Sequence, residues 1–162
     1  MKTIQNITEK IYSTEEISKQ TFRWKFKSKT IVFTNGVFDL LHEGHIASLT
    51  QAASLGDILI VAINSDDSVK KLKGPSRPIN NEYTRALILA QMLIVDAVVI
   101  FNEETPLELI KSIMPDTLVK GGDYNIEQIA GAKEVIANGG NVVLAEMIQG
   151  VSTSILIEKM KS

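Results

Sequence analysis

The sequence contains no cysteine. That excludes disulfide bridges, thiolate metal sites and a cysteine nucleophile. Histidine is scarce too, with two in 162 residues. Aromatic residues make up only 6% of the chain. No apolar run approaches the ~20 residues that span a membrane. The first ten residues, MKTIQNITEK, lack the apolar core of a secretory leader. Neither sign of charge dominates: 17 Lys and Arg stand against 19 Asp and Glu, for a net charge of −2 and a pI of about 5.7. No global field draws the chain to nucleic acid, and no basic, aromatic-rich face suggests it. The expectation is a soluble, cytoplasmic protein with neither a nucleic-acid nor a membrane partner.

What is present reads as one folded domain. Hydrophobic residues are 44% and charged residues 22%, the balance of a globular chain. A chain of this size buries roughly 68–70% of its unfolded surface and needs no staples. Residues 1–29 differ from the rest. They are polar, with a Ser13/Glu16 pair that fits a helix N-cap and a basic exit at Arg23, Lys25, Lys27 and Lys29. This segment is expected to be a helical arm appended to a main domain over 30–162. Its apolar residues Phe22, Trp24 and Phe26 would pack on the domain or on a partner.

From residue 30 the pattern is regular. Five short β-branched runs, at 30–34, 58–63, 97–101, 117–119 and 141–145, lack strict alternation, as strands buried on both faces do. Helical stretches separate them at 46–55, 81–92, 107–113, 126–137 and, last, 152–161. Alternation of strand and helix predicts an α/β fold, a Rossmann-like, doubly wound, five-stranded parallel sheet. Its ligand site is expected beyond the C-terminal strand ends, near the switch in strand order.

The densest chemistry follows the first strand, in TNGVFDLLHEGH over 34–45. His42 and His45 stand three apart where a helix begins, so both rings share one face. Free N–H groups and the helix dipole favour an anion there. Gly44 removes a Cβ and lets a ligand approach the backbone. A metal pair is the competing reading, but Asp39 and Glu43 do not complete a recognised zinc set. At the far end, Gly150, Ser152, Thr153 and Ser154 open the last helix. They can cradle an anion, cap the helix, or do both. The segment after the second strand, 64–80, is read as a basic loop with Lys70, Lys71, Lys73 and Arg77, able to neutralise phosphate or simply solvated. Arg85 lies on the next helix. KGGDY over 120–124 ends the fourth strand, where paired glycines permit a close backbone approach and Asp123 offers an acceptor.

Together these segments resemble the nucleotidylyltransferase superfamily, relatives of the class I aminoacyl-tRNA synthetases. His42-Glu43-Gly44-His45 is similar to its HxGH motif, and GVSTS over 150–154 is similar to its GxSTT or ISSS element. Within that superfamily, KGGDY and the basic segment look like the adenylyltransferases that form ADP-heptose. The resemblance covers residues 29–160. It implies the strand order 3-2-1-4-5 in the five-strand numbering. It also implies transfer of AMP from ATP to D-glycero-β-D-manno-heptose 1-phosphate, with release of pyrophosphate, for lipopolysaccharide core precursors.

Further site expectations rest on that resemblance. His42, His45 and Lys73 would be catalytic, with His45 at the α-phosphate. Asn35, Gly36, Val37, Phe38, Gly44, Gly150, Ser152, Thr153 and Ser154 would bind the nucleotide. Asp39, Lys70, Arg77, Arg85, Lys120 and Asp123 would meet the substrate phosphates or sugar. Magnesium would bind mainly through the ATP phosphates, with no protein metal site. The resemblance is to a stand-alone, homodimeric form that depends on a separate heptose 7-phosphate kinase. Three departures stand out. Val37 replaces a frequent cysteine, and Glu43 a frequent proline. Met147 and Ile148 lie where glycerol-phosphate cytidylyltransferases place an arginine. Four other readings stay open: such a cytidylyltransferase, a pantetheine-phosphate adenylyltransferase, a nucleotide-binding regulator without turnover and an RNA-binding synthetase relative.

Overall fold

The computed structural model describes residues 4–146, 148, 150 and 152–161. In chain order its elements are α1 (Ile4–Thr8), β1 (Ile11–Tyr12), α2 (Thr14–Phe26), β2 (Ile31–Gly36), α3 (Glu43–Ala53), β3 (Ile58–Asn64), α4 (Asp66–Lys73) and α5 (Glu82–Ala90). There follow β4 (Ala97–Phe101), α6 (Leu107–Ile113), β5 (Thr117–Gly121), a 3₁₀ turn (Ile126–Gln128), α7 (Ala132–Ala137), β6 (Asn141–Ala145) and α8 (Thr153–Lys161).

The strands form one parallel sheet in the order β1-β4-β3-β2-β5-β6. The five expected strands keep their expected relative order. The count is corrected from five to six, because β1 adds an edge strand with Ile11 opposite Val98 and Tyr12 opposite Val99. Two residues between polar stretches carry no readable period, so the sequence pattern could not signal it.

Successive residues of each central strand enter opposite layers. Ile31, Phe33, Ile60, Ala62, Val99 and Leu118 face one core, with Ile17 of α2, Ile110 of α6 and Val135 of α7. Val32, Leu59, Val61, Val98 and Val119 face the other, with Leu49 of α3 and Leu89 of α5. Helices therefore cover both faces, which explains why the strands read as continuous apolar runs. The opposite end of the sheet from the expected site is fastened by three aspartates. Asp57 accepts from the Thr30 amide, Asp116 from Ile31 and Asp96 from Leu59.

Two helix boundaries differ from expectation. The stretch 126–137 is not one helix: the 3₁₀ turn gives way to α7 at Gly131, whose φ is +84°. A Cβ there would lie 2.7 Å from Ile110, so the close packing of α6 breaks the run. The basic segment after β3 is not all loop. Residues Asp66–Lys73 form α4, capped by Ser65 accepting from the Ser68 amide. Asp66 and Asp67 open it and Lys70, Lys71 and Lys73 close it, the arrangement that complements the helix dipole. Val69 is its one buried large apolar side chain and Leu72 is half exposed, too few for a clear helical period.

The arm shares the domain's core. Ser13 and Glu16 form the full capping box of α2, Ile17 is fully buried, and Trp24 meets Tyr12 edge to face at 6.3 Å. Phe22 and Phe26 remain exposed, at 74% and 84%. Truncating Ile17 to alanine should then cost about 2–5 kcal/mol. Phe26→Ala should stay within about 0.5 kcal/mol. Urea unfolding of both variants checks this, and equal losses would contradict a packed arm.

Candidate active site

β2 is the turning point of the sheet. Its neighbours β3 and β5 are reached through helices on opposite faces, so a crevice opens where β2 ends. Residues leaving β2 and β5, with the starts of α3 and α8 and the end of α4, converge there. The crevice holds two adjoining clefts. One, of about 300 Å³, is lined by Asn35, Gly36, Phe38, His42, Gly44, His45, Lys73, Lys120 and Ser152–Ser154, together with Thr34, Ser48, Gly121, Tyr124 and Ile148. The other, of about 410 Å³, runs toward α6 and the 3₁₀ turn and is lined among others by Asn64, Glu104, Thr105 and Gln128. Asn35, Gly36, Lys73, Lys120 and Tyr124 border both clefts.

The two imidazoles stack at the N-terminus of α3 with ring centroids 3.8 Å apart. Gly44 makes this possible, since a Cβ there would sit 3.0 Å from the His42 ring. His42 is the N-cap, yet its side chain makes no capping bond. The Nδ1 atoms of both histidines are buried without a hydrogen-bond partner. Burial, then the neighbouring His42, lowers the His45 pKa from 6.5 to about 4. Burial lowers His42 as well, partly opposed by Glu43. Both rings are neutral at pH 7 and have room to gain a proton when an anion arrives.

The cations are set around them. Lys120, at the end of β5, sits 3.3 Å from the Asn35 amide oxygen and 5.6 Å from the centre of the Tyr124 ring. Burial lowers its pKa. Lys73 is the last residue of α4 and reaches over both clefts. At the third side, Ser152 accepts from the Ile155 amide and Thr153 donates to the Leu40 carbonyl. Ser152 thus caps α8 and lines the cleft at once, while Thr153 ties the helix start to the loop before α3. Gly150 turns the chain into this helix with φ +78°.

The remaining expected residues are placed differently. Val37 borders only the second cleft. Lys70 points to Asp67 at 3.4 Å on the exposed side of α4, and Asp123 is exposed; neither lines a cleft. Asp39, Arg77 and Arg85 do not line either cleft. Asp39 is buried and accepts from Arg77 Nε at 2.7 Å and from the Ile79 and Asn80 amides. Arg85, also buried, donates to the carbonyls of Val37 and Asn80 and to Asp66. The reading of these three as substrate ligands is therefore replaced by one as scaffold. Met147 and Val151 lie outside the described residues. Sequence reasoning passed over Ser48, one turn beyond His45, which the three-residue helical spacing could have flagged. It also passed over Asn64, Glu104, Thr105 and Gln128, which no motif marks.

This geometry defines an α/β domain whose crevice, at the end of β2, is faced by two helix N-termini, two histidines and two lysines. A family model described as cytidylyltransferase-like matches residues 33–159. The chain belongs to the cytidylyltransferase-like family, and it is a nucleotidyltransferase. It is 53% identical over 150 residues to the bifunctional protein HldE of Koribacter versatilis and 54% identical over 151 residues to that of Haemophilus influenzae. Each match covers 93% of this chain but only 31% and 32% of the relative, so the chain spans about a third of their length. A lipopolysaccharide core biosynthesis protein from Thermoplasma volcanium is 27% identical, with a TM-score of 0.59 over 74% of this chain and 97% of that one. Pantoate-beta-alanine ligase from Francisella tularensis shares the fold, with a TM-score of 0.60 over 93% of this chain and 76% of its own at 15% identity. Among the described residues no helix is long and apolar enough to cross a membrane.

The depressed histidines set a sign. A bound phosphate raises the His45 pKa above about 4, so nucleotide binding should take up a proton between that value and the higher pKa of the complex. Affinity then rises as pH falls through that window. Calorimetry in buffers of different ionisation enthalpy reads the uptake. His45→Asn should lower it, His42 keeping its own share, and the difference between the two proteins cancels protons exchanged by the nucleotide itself. Equal proton counts in both would contradict this.

Proposed function

We propose that this chain transfers the AMP group of ATP to D-glycero-β-D-manno-heptose 1-phosphate, releasing pyrophosphate and forming ADP-heptose. The observation that carries the reading is the pair of clefts that meet at Asn35, Gly36, Lys73 and Lys120. One has the stacked histidines and the Ser152–Ser154 hydroxyls, suited to a triphosphate. The other offers amides, a hydroxyl and Glu104, suited to a polyol. Identity to HldE proteins and to a lipopolysaccharide core biosynthesis protein supports a heptose acceptor.

In the proposed step an oxygen of the sugar phosphate attacks the α-phosphorus in line. That P–O bond forms while the bond to the α,β-bridging oxygen breaks, and the electron pair leaves with pyrophosphate. The attacking group is already an anion, so no strong base is required. What the protein supplies is positioning and charge stabilisation. Lys73 and Lys120, at the junction, draw two mutually repelling phosphates together. His45, beside the N-terminus of α3, donates to the α-phosphate as its charge grows, and His42 supports the neighbouring phosphates. Ser152, Thr153 and Ser154 with the N-terminus of α8 receive the β- and γ-phosphates. Among the described residues no three His, Asp or Glu side chains converge on a metal site. Magnesium fits this site as part of the substrate, carried by the triphosphate oxygens. The heptose 1-phosphate itself would come from a separate kinase reaction.

The test is pyrophosphate release with magnesium, crossing ATP and CTP against heptose 1-phosphate and glycerol 3-phosphate. Release with ATP and heptose 1-phosphate is expected. Release with another pair would overturn the named substrates, and nucleotide binding without release would favour a regulator. With the active pair, His45→Ala should lower kcat roughly 10²–10³-fold, the loss of one preorganised transition-state donor. A drop below about tenfold in a folded variant would remove His45 from that role.

A further inference from the structure

The loop that carries Phe38 is held in a conformation its sequence does not favour. Phe38 has φ +49°, a left-handed value that costs of order 1–3 kcal/mol and persists only where the surroundings over-determine it. Its ring is wedged between Gly36, where a Cβ would lie 2.9 Å away, and the His45 ring at 5.1 Å. Both flanks of Phe38 are tied to one opposing segment. On one side Arg85 Nη1 donates to the Val37 carbonyl at 2.8 Å. On the other, Asp39 receives Arg77 Nε and the amides of Ile79 and Asn80, while Asn80 Nδ2 donates back to the Asp39 carbonyl at 3.0 Å. Arg85 closes the ring of contacts by also holding the Asn80 carbonyl and Asp66, the first residue of α4. The same segment follows Lys73 and Gly74.

We infer that Asp39 is a positioning residue, a buried latch that fixes Phe38 against His45 and the end of α4 over the cleft. It touches no substrate. It acts through Phe38 on the imidazole that meets the α-phosphate and through Arg77 on the segment behind Lys73. This rests on the proposed adenylyl transfer for its kinetic consequence, but not for its structural one. The charge matters because two main-chain amides and a guanidinium converge on the carboxylate. An amide in its place would turn a donor toward them and leave it unpaired in a buried site.

The experiment compares Asp39→Asn with Arg77→Ala, which removes one donor, from a side chain 13% exposed, and leaves the Ile79 and Asn80 amides on the carboxylate. Histidine NMR of the ligand-free proteins is recorded from about pH 3 to 7.5, bracketing the wild-type His45 midpoint of about 4, and kcat and KM for ATP are measured in parallel. With the latch loosened, water reaches His45 and its midpoint should climb from about 4 toward 6.5. At the same time kcat should fall about 10–100-fold, with KM for ATP changing less than about threefold, the pattern of a displaced catalytic group. A residue that only stabilises the fold would lower the melting temperature and leave the His45 titration alone. If Asp39→Asn does not fold, Arg77→Ala decides with the same readout at smaller amplitude. A wild-type His45 titration and kcat in the folded variants would overturn the latch. A wild-type protein without transferase activity would instead count against the proposed reaction, and the NMR comparison would still judge the latch.

Discussion

The site depends on one topological constraint: β2 must hydrogen-bond to β3 on one side and β5 on the other, while the helices leading to them lie on opposite faces of the sheet. The chain leaving Gly36 therefore enters an open crevice. Everything chemical in the molecule is brought to that crevice by short connections. α3 starts seven residues after β2 ends, and β5 delivers Lys120 directly. Because the strands are buried on both faces, their register is fixed by packing, and the site inherits that rigidity.

The histidines carry the second constraint. Two imidazoles at 3.8 Å cannot both hold a proton without repulsion, and burial already opposes the charge. They wait as neutral rings with unpaired nitrogens, beside a helix N-terminus that also favours an anion. A phosphate in the cleft would offset the cost of charging either ring. Burial also opposes the charge of Lys120, whose amino group donates to Asn35. Stability is thus given up locally where a ligand restores it, a common arrangement at functional sites.

Much of this was legible in the sequence for physical reasons. Both-sided burial makes strands read as apolar runs, so the parallel sheet followed from the residues, while its strand order came with the family resemblance. His42-x-x-His45 with Gly44 between them is a local pattern, and local patterns survive in one dimension. The capping pair Ser13 and Glu16 was legible on the same ground. Long-range burial was not. Arg77 and Arg85 looked like phosphate ligands, and Asp39 like a contact to the substrate, because their charge is visible in sequence; the pairing of Asp39 with Arg77 across 38 positions, and of Arg85 with the Val37 carbonyl across 48, is not. The second cleft was invisible because Asn64 at the end of β3, Glu104 in the connection after β4 and Gln128 in the 3₁₀ turn share no motif. α4 hid its helix because it buries so little, although its Ser65 cap and charge order were present in the sequence.

The central claim is that the crevice presents the α-phosphorus of a nucleotide, and not its terminal phosphorus, to a sugar phosphate. Label tracing tests it most directly. With heptose 1-phosphate as acceptor, ATP labelled at the α-phosphate should pass its label to the sugar nucleotide. ATP labelled at the γ-phosphate should leave its label wholly in pyrophosphate. Transfer of the γ label to the sugar phosphate would contradict the account.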